Sequence, residues 1–164
     1  MKRLLLILPL IAAVLLLGNQ LGTAQGFESE MTILMGEFFF QVEGQDKGEA
    51  LVLETGVPYR ITFRNIGNTV HRVKFGRGLV IEEGVPFAYT ENLFDNVPLR
   101  IEGIGDGGVD FRVVTDRLLE LDLDPGGEMD IVFTLPQGAQ GEWELGCFVI
   151  GHYEAGMLAP LMVQ

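Results

Sequence analysis

The chain has 164 residues, enough for one domain with a substantial core and too few for two. Its formal net charge of −12 excludes a nucleic-acid-binding surface; the acidity either steers the protein toward basic partners or only keeps it soluble. A single cysteine excludes an internal disulfide, although the start of the chain points to export into a compartment where disulfides are usual.

Residues 1–24 read as an address. Lys2 and Arg3 form a basic start, Leu4 to Leu17 an apolar run, and Gly22-Thr23-Ala24 a small-residue cleavage site, the three parts of a secretory signal. The competing reading is an uncleaved anchor, but the run carries Pro9 and is shorter than the about 20 residues that span a bilayer. The leader has no cysteine for lipid attachment. Cleavage would remove two positive charges and leave residues 25–164 as a single, more acidic, exported domain.

Met31 to Val42 is β-branched and aromatic with partial alternation, a strand with one buried face. A polar turn at Gly44–Gly48 leads to a short strand at Ala50–Leu53, and Thr55-Gly56-Val57-Pro58 turns the chain again. In Tyr59–Arg64, Tyr59, Ile61 and Phe63 alternate with Arg60, Thr62 and Arg64, the pattern of a two-faced antiparallel strand. Asn65-Ile66-Gly67-Asn68 then leads into His71, behind which Val73 and Phe75 alternate as a fourth strand.

Residues 76–116 are a long segment in which Phe87, Tyr89, Leu93 and Phe94 offer apolar anchors. Gly103–Gly108 is a turn, with no following helix to make it a phosphate site. Such a segment either carries function or merely extends the sandwich. Leu119, Leu121 and Leu123 alternate with Glu120, Asp122 and Asp124 as an edge-on strand with a wet face, and Pro125–Glu128 turns it back as a hairpin into Met129–Leu135. Glu142–Leu145 is a strand with Trp143 inside, and Leu158–Val163 is a last apolar run. Short strands between Gly- and Pro-bearing turns, with no helical period after the leader, predict an all-β sandwich.

Between those last two strands lies Cys147-x4-His152-x4-Met157. With His71, the other histidine of the chain, these residues are two imidazoles, a thiolate and a thioether, the donor set of a His2Cys copper site with a weak axial Met. Taken singly, each has an ordinary alternative: a buried cysteine as a small hydrophobe, a histidine as a satisfied polar residue, a methionine as core filler like Met31, Met35, Met129 and Met162. The spacing and the Asn65-x-Gly67-x3-His71 precursor set them apart as a group.

On these residues the chain resembles the cupredoxins, small type 1 (blue) copper electron carriers, and its ligand loop is most similar to the rusticyanin, sulfocyanin and auracyanin-like branch. The resemblance covers roughly residues 30–78 and 117–164. It implies a Greek-key β-sandwich or barrel, with 76–116 as an insertion, and one copper ion held by His71, Cys147, His152 and Met157. It also implies backbone hydrogen bonds to the Cys147 sulfur, from Arg72 and Val149. Arg72 stands where the family often has Asn, which removes one side-chain tie between the two ligand loops. The resemblance implies a non-enzymatic, periplasmic or otherwise extracytoplasmic monomer that passes single electrons between partners such as a c-type cytochrome and a terminal oxidase. Membrane association would come only through an uncleaved leader or a partner complex. Multicopper and nitrite-reducing enzymes of this fold need further histidines, and binuclear copper needs a second cysteine. The alternative function is a copper-binding accessory subunit or copper chaperone of a respiratory oxidase.

Overall fold

The structure, a computed structural model, describes residues 29–104, 108–114 and 117–164; the expected leader and residues 105–107 of the expected Gly103–Gly108 turn lie outside them. Among the described residues twelve strands run in chain order: β1 (Ser29–Gly36), β2 (Phe39–Val42), β3 (Leu51–Leu53), β4 (Pro58–Asn65), β5 (His71–Glu82), β6 (Val85–Asn92), β7 (Leu99–Ile104), β8 (Val109–Val114), β9 (Arg117–Leu123), β10 (Glu128–Thr134), β11 (Gly141–Cys147) and β12 (Leu158–Val163). Among the described residues no α-helix occurs and one 3-10 turn, Gln137–Ala139, precedes β11.

The strands form two sheets, ordered β2-β1-β4-β10-β7 and β3-β12-β11-β5-β9-β8, with β6 attached to β5. Both are mixed. β4 alternates buried and half-buried along its length, as its sequence predicts, and is antiparallel to β10 but parallel to β1; β3 is likewise parallel to β12. Alternation reports which face of a strand is dry and says nothing of its neighbours' direction. Between the sheets an aromatic column runs edge to face from Phe63 to Phe75, Phe94 and Phe133, on which Tyr59 stacks, with ring centroids 5.0–5.9 Å apart. Each such pair adds about 0.5–1.5 kcal/mol to the area it buries. Phe94 belongs to the segment 76–116, and with Leu93 and Val97 it is buried, so this segment supplies part of the core.

Three local expectations are corrected. Met31–Val42 is two strands, because the chain reverses at Glu37-Phe38 and pairs Gly36 with Phe39. The strand around Leu121 is internal, between β5 and β8, and a bulge opposite Arg112/Val113 shifts its phase so that Leu118, not Leu119, is fully buried with Leu121 and Leu123. Finally, β9 and β10 lie in different sheets, so Pro125–Glu128 crosses the sandwich and makes no hairpin. The crossing turn is tied to the chain entering the His71 loop: Asn65 N–H donates to Gly127 O at 2.9 Å and Gly126 N–H to Asn65 O at 3.0 Å.

Candidate metal centre

The site is built where three neighbouring strands end. His71 is the first residue of β5, and Cys147 is the last of β11, opposite Val73 of β5. Met157 immediately precedes β12, and its carbonyl accepts from Cys147 N–H at 3.0 Å, which closes the ligand loop at its base. Inside the loop His152 N–H reaches Val149 O at 3.0 Å and Met157 N–H reaches His152 O at 2.9 Å. Gly151 and Gly156 take φ of 86° and 96°, backbone that these two tight turns need and that a side chain would strain.

The second anchor is the loop before His71. Asn65 is 1 % exposed, and its side chain replaces a missing piece of sheet. Nδ2 donates to Thr69 O and Leu123 O, both at 2.8 Å, while Oδ1 accepts from Gly67 N–H at 2.9 Å. The Asn-x-Gly sequence therefore has a mechanical meaning. Asn65 shapes the loop, and Gly67 leaves room where a Cβ would stand 2.7 Å from Glu37 Oε1 and 3.0 Å from His71 Nε2.

These two anchors bring three donors together. His71 Nδ1 and His152 Nδ1 are 3.3 Å apart, and Cys147 Sγ lies 3.9 Å from the first and 3.5 Å from the second. A point equidistant from all three is about 2.1 Å from each, the length of a metal–imidazole bond and close to that of a metal–thiolate bond. His71, Cys147 and Met157 are fully buried; His152 reaches the rim, where the Phe38 ring meets it edge-on at 5.3 Å. Burial first, and then the neighbouring His152, push the His71 imidazole down to about 4, against the opposing pull of Glu37. Burial likewise raises the Cys147 thiol, while backbone hydrogen bonds from Val149 and Arg72 act the other way and favour thiolate. A buried site that holds the His71 imidazole neutral and brings it and His152 against a sulfur, with His71 Nε2 buried and unpartnered behind, is shaped for a soft or borderline cation.

Arg72 does not leave the loops untied. Its carbonyl accepts from Phe148 N–H at 2.8 Å, so backbone makes the connection, and its guanidinium forks onto the Asp122 carboxylate at 2.7–3.2 Å. Two residues near the ligands escape a reading of the sequence. Glu37 accepts from Asn68 N–H beside His71, and Phe38 sits at φ 63° over His152; Gly36 inside an otherwise continuous strand pattern was the available sign of a turn there.

No protein-family model matches the chain, and no curated protein matches it. Solved structures do. An auracyanin B structure is similar at a TM-score of 0.50 and 15% identity, over 87% of this chain and 93% of that one. A multicopper oxidase from Campylobacter jejuni also gives a TM-score of 0.50, at 13% identity over 87% of this chain, which spans 31% of the oxidase. Reduced auracyanin from Roseiflexus castenholzii aligns at 20% identity over 85% of this chain and 99% of that one, with a TM-score of 0.48. With its two mixed sheets, and a His-Cys-His group whose spacing and chemistry fit one type 1 copper ion, the chain has the cupredoxin fold.

Proposed function

We propose that this protein is a one-electron carrier working outside the cytoplasm, with a single copper ion held by His71, Cys147 and His152 and completed by Met157. The observation that carries this reading is the triangle of His71 Nδ1, Cys147 Sγ and His152 Nδ1, closed to within 3.9 Å by residues from two separate loops. Copper bound there would cycle between Cu(I) and Cu(II), and the chain's own residues set the conditions. Strand ends hold His71 and Cys147, so the donors need not rearrange when the charge changes. The backbone hydrogen bonds from Val149 and Arg72 temper the sulfur, and apolar burial keeps water out.

His152 is the donor nearest solvent, and the loops around it expose large apolar side chains: Phe38, Ile66, Val70 and Ile150. Such a patch suits brief docking of another redox protein, of which a c-type cytochrome and a terminal oxidase are the kinds proposed. The burial of Cys147 and Met157 favours retained over exchangeable metal, and hence a carrier over a chaperone. Both histidines of the chain are used in the triangle, which leaves none for a second copper centre.

The test is spectroscopic. The copper(II)-loaded protein is expected to show intense thiolate-to-copper absorption in the visible and reversible one-electron voltammetry. In Cys147→Ser the absorption is expected to vanish. Weak ligand-field bands alone in the parent protein, or colour that survives Cys147→Ser, would refute the assignment.

A further inference from the structure

The β5–β6 hairpin leaves the sandwich beyond Gly76, pairing Gly76 with Asn92 and ending at Glu82 and Val85. Much of it is solvated: Leu79, Ile81 and Phe87 are exposed. Tyr89 is half-buried. It lies in a slot made by two glycines on adjoining strands, Gly76 of β5 and Gly146 of β11. A Cβ at Gly76 would stand 2.5 Å from Tyr89 Cβ and 2.6 Å from Cγ; one at Gly146 would collide with the Tyr89 hydroxyl.

In that slot the Tyr89 ring meets Phe148 edge-on at 5.0 Å, and Phe148 meets Tyr153 at 5.5 Å. The two phenols converge on one oxygen: Tyr89 and Tyr153 donate to Glu144 Oε1 at 2.6 and 2.5 Å. Lys74 Nζ donates to Phe87 O at 2.7 Å and rests over the Phe148 ring at 4.7 Å, which adds a further tie between hairpin and loop. The chain positions of the gripped residues matter most. Phe148 directly follows Cys147, and Tyr153 directly follows His152.

We propose that the β5–β6 hairpin is an external brace for the Cys147–Met157 loop, in which Tyr89, acting through Phe148 and Glu144, is a positioning residue that presets Cys147 and His152 before any metal arrives. Phenol-to-carboxylate hydrogen bonds are among the stronger neutral-to-charged contacts. Two of them on one oxygen, with an aromatic ring held between, restrain the loop at both ends of the Cys147–His152 span. A loop already in its bound shape loses less freedom when a ligand binds. The brace stands on contacts within the chain; its consequence for copper rests on the function proposed above.

The experiment compares the full copper-free chain with Tyr89→Phe, Tyr89→Ala and Glu144→Gln by amide hydrogen exchange. Exchange at His152, Ala155, Gly156 and Met157 is expected to quicken about tenfold in Tyr89→Phe and further in Tyr89→Ala, with β4 and β10 unchanged. In the copper(II)-loaded proteins the electron paramagnetic resonance spectrum is expected to shift in the same order. Unchanged loop exchange, acceleration shared equally by β4 and β10, or identical spectra in every folded variant would overturn the positioning role. Should Tyr89→Ala fail to fold, Tyr89→Phe and Glu144→Gln decide the matter. A parent protein without thiolate absorption would refute the copper assignment and leave the exchange result to judge the brace.

Discussion

His71 answers two demands with one protonation state. To bind a cation its Nδ1 must be free of a proton, and to sit in a core it must not be charged; burial meets both by pushing its pKa down to about 4. In the unfolded chain a histidine titrates near 6.5. Between those values the unfolded state binds the extra proton, so stability rises with pH, and falls as the solution is acidified through that window. The copper-free protein is therefore expected to lose on the order of 3 kcal/mol between pH 6.5 and 4 from this residue. Urea midpoints across that range measure it, and the slope should flatten in His71→Asn; equal slopes in both proteins would mean that the imidazole is not held neutral. The donors themselves were legible in the sequence because the chain has so few of them: one cysteine, two histidines and a methionine at fixed spacing. Glu37 and Phe38 were not, since their relation to His71 and His152 depends on a reversal within what reads as one strand.

At the scale of elements, the alternating strands were readable and their partners were not. Tyr59–Arg64 has the expected dry and wet faces, but its parallel neighbour β1 lies 23 or more positions earlier in the chain, beyond what a local pattern encodes. The misread hairpin after Leu123 has the same cause: a Pro-Gly-Gly turn marks a reversal without saying whether the chain stays in its sheet or crosses to the other. Hydrogen bonds to Asn65 decide it here, and they make Asn65 the joint between the crossing turn and the His71 loop. Asn65→Ala would leave the buried carbonyl of Leu123, and the part-buried carbonyl of Thr69 and amide of Gly67, without the side chain that pairs them. A loss of about 2–4 kcal/mol is expected, read as a lower urea midpoint in the copper-free protein. A loss below about 1 kcal/mol would show that water or a loop shift replaces the side chain. The segment 76–116 shows the converse. Its anchors Leu93 and Phe94 were visible as apolar residues, yet that Phe94 completes an aromatic column joining both sheets depends on three other strands.

For the whole molecule, charge and surface would divide the work of meeting a partner in the electron carrier proposed above. The chain carries −12 overall, whereas Phe38 against His152, Ile150 in the same loop, and Ile66 and Val70 in the loop before His71 expose apolar side chains. Apolar contact acts only at touching distance, while the field of the acidic body reaches about 8–10 Å at ordinary salt and farther when salt is low. For such a carrier, attraction of a basic redox protein would belong to the approach, and the fit around His152 to the docked pair. Approach is the salt-sensitive step. The bimolecular electron-exchange rate with a basic c-type cytochrome is expected to fall about tenfold as ionic strength rises from about 0.01 M to about 0.15 M, while the first-order transfer rate inside the docked complex stays constant. Stopped-flow mixing over a salt series separates the two. A flat bimolecular rate would leave the acidity with solubility as its only role, and a rate that climbs with salt would mean that the physiological partner is sought among acidic proteins.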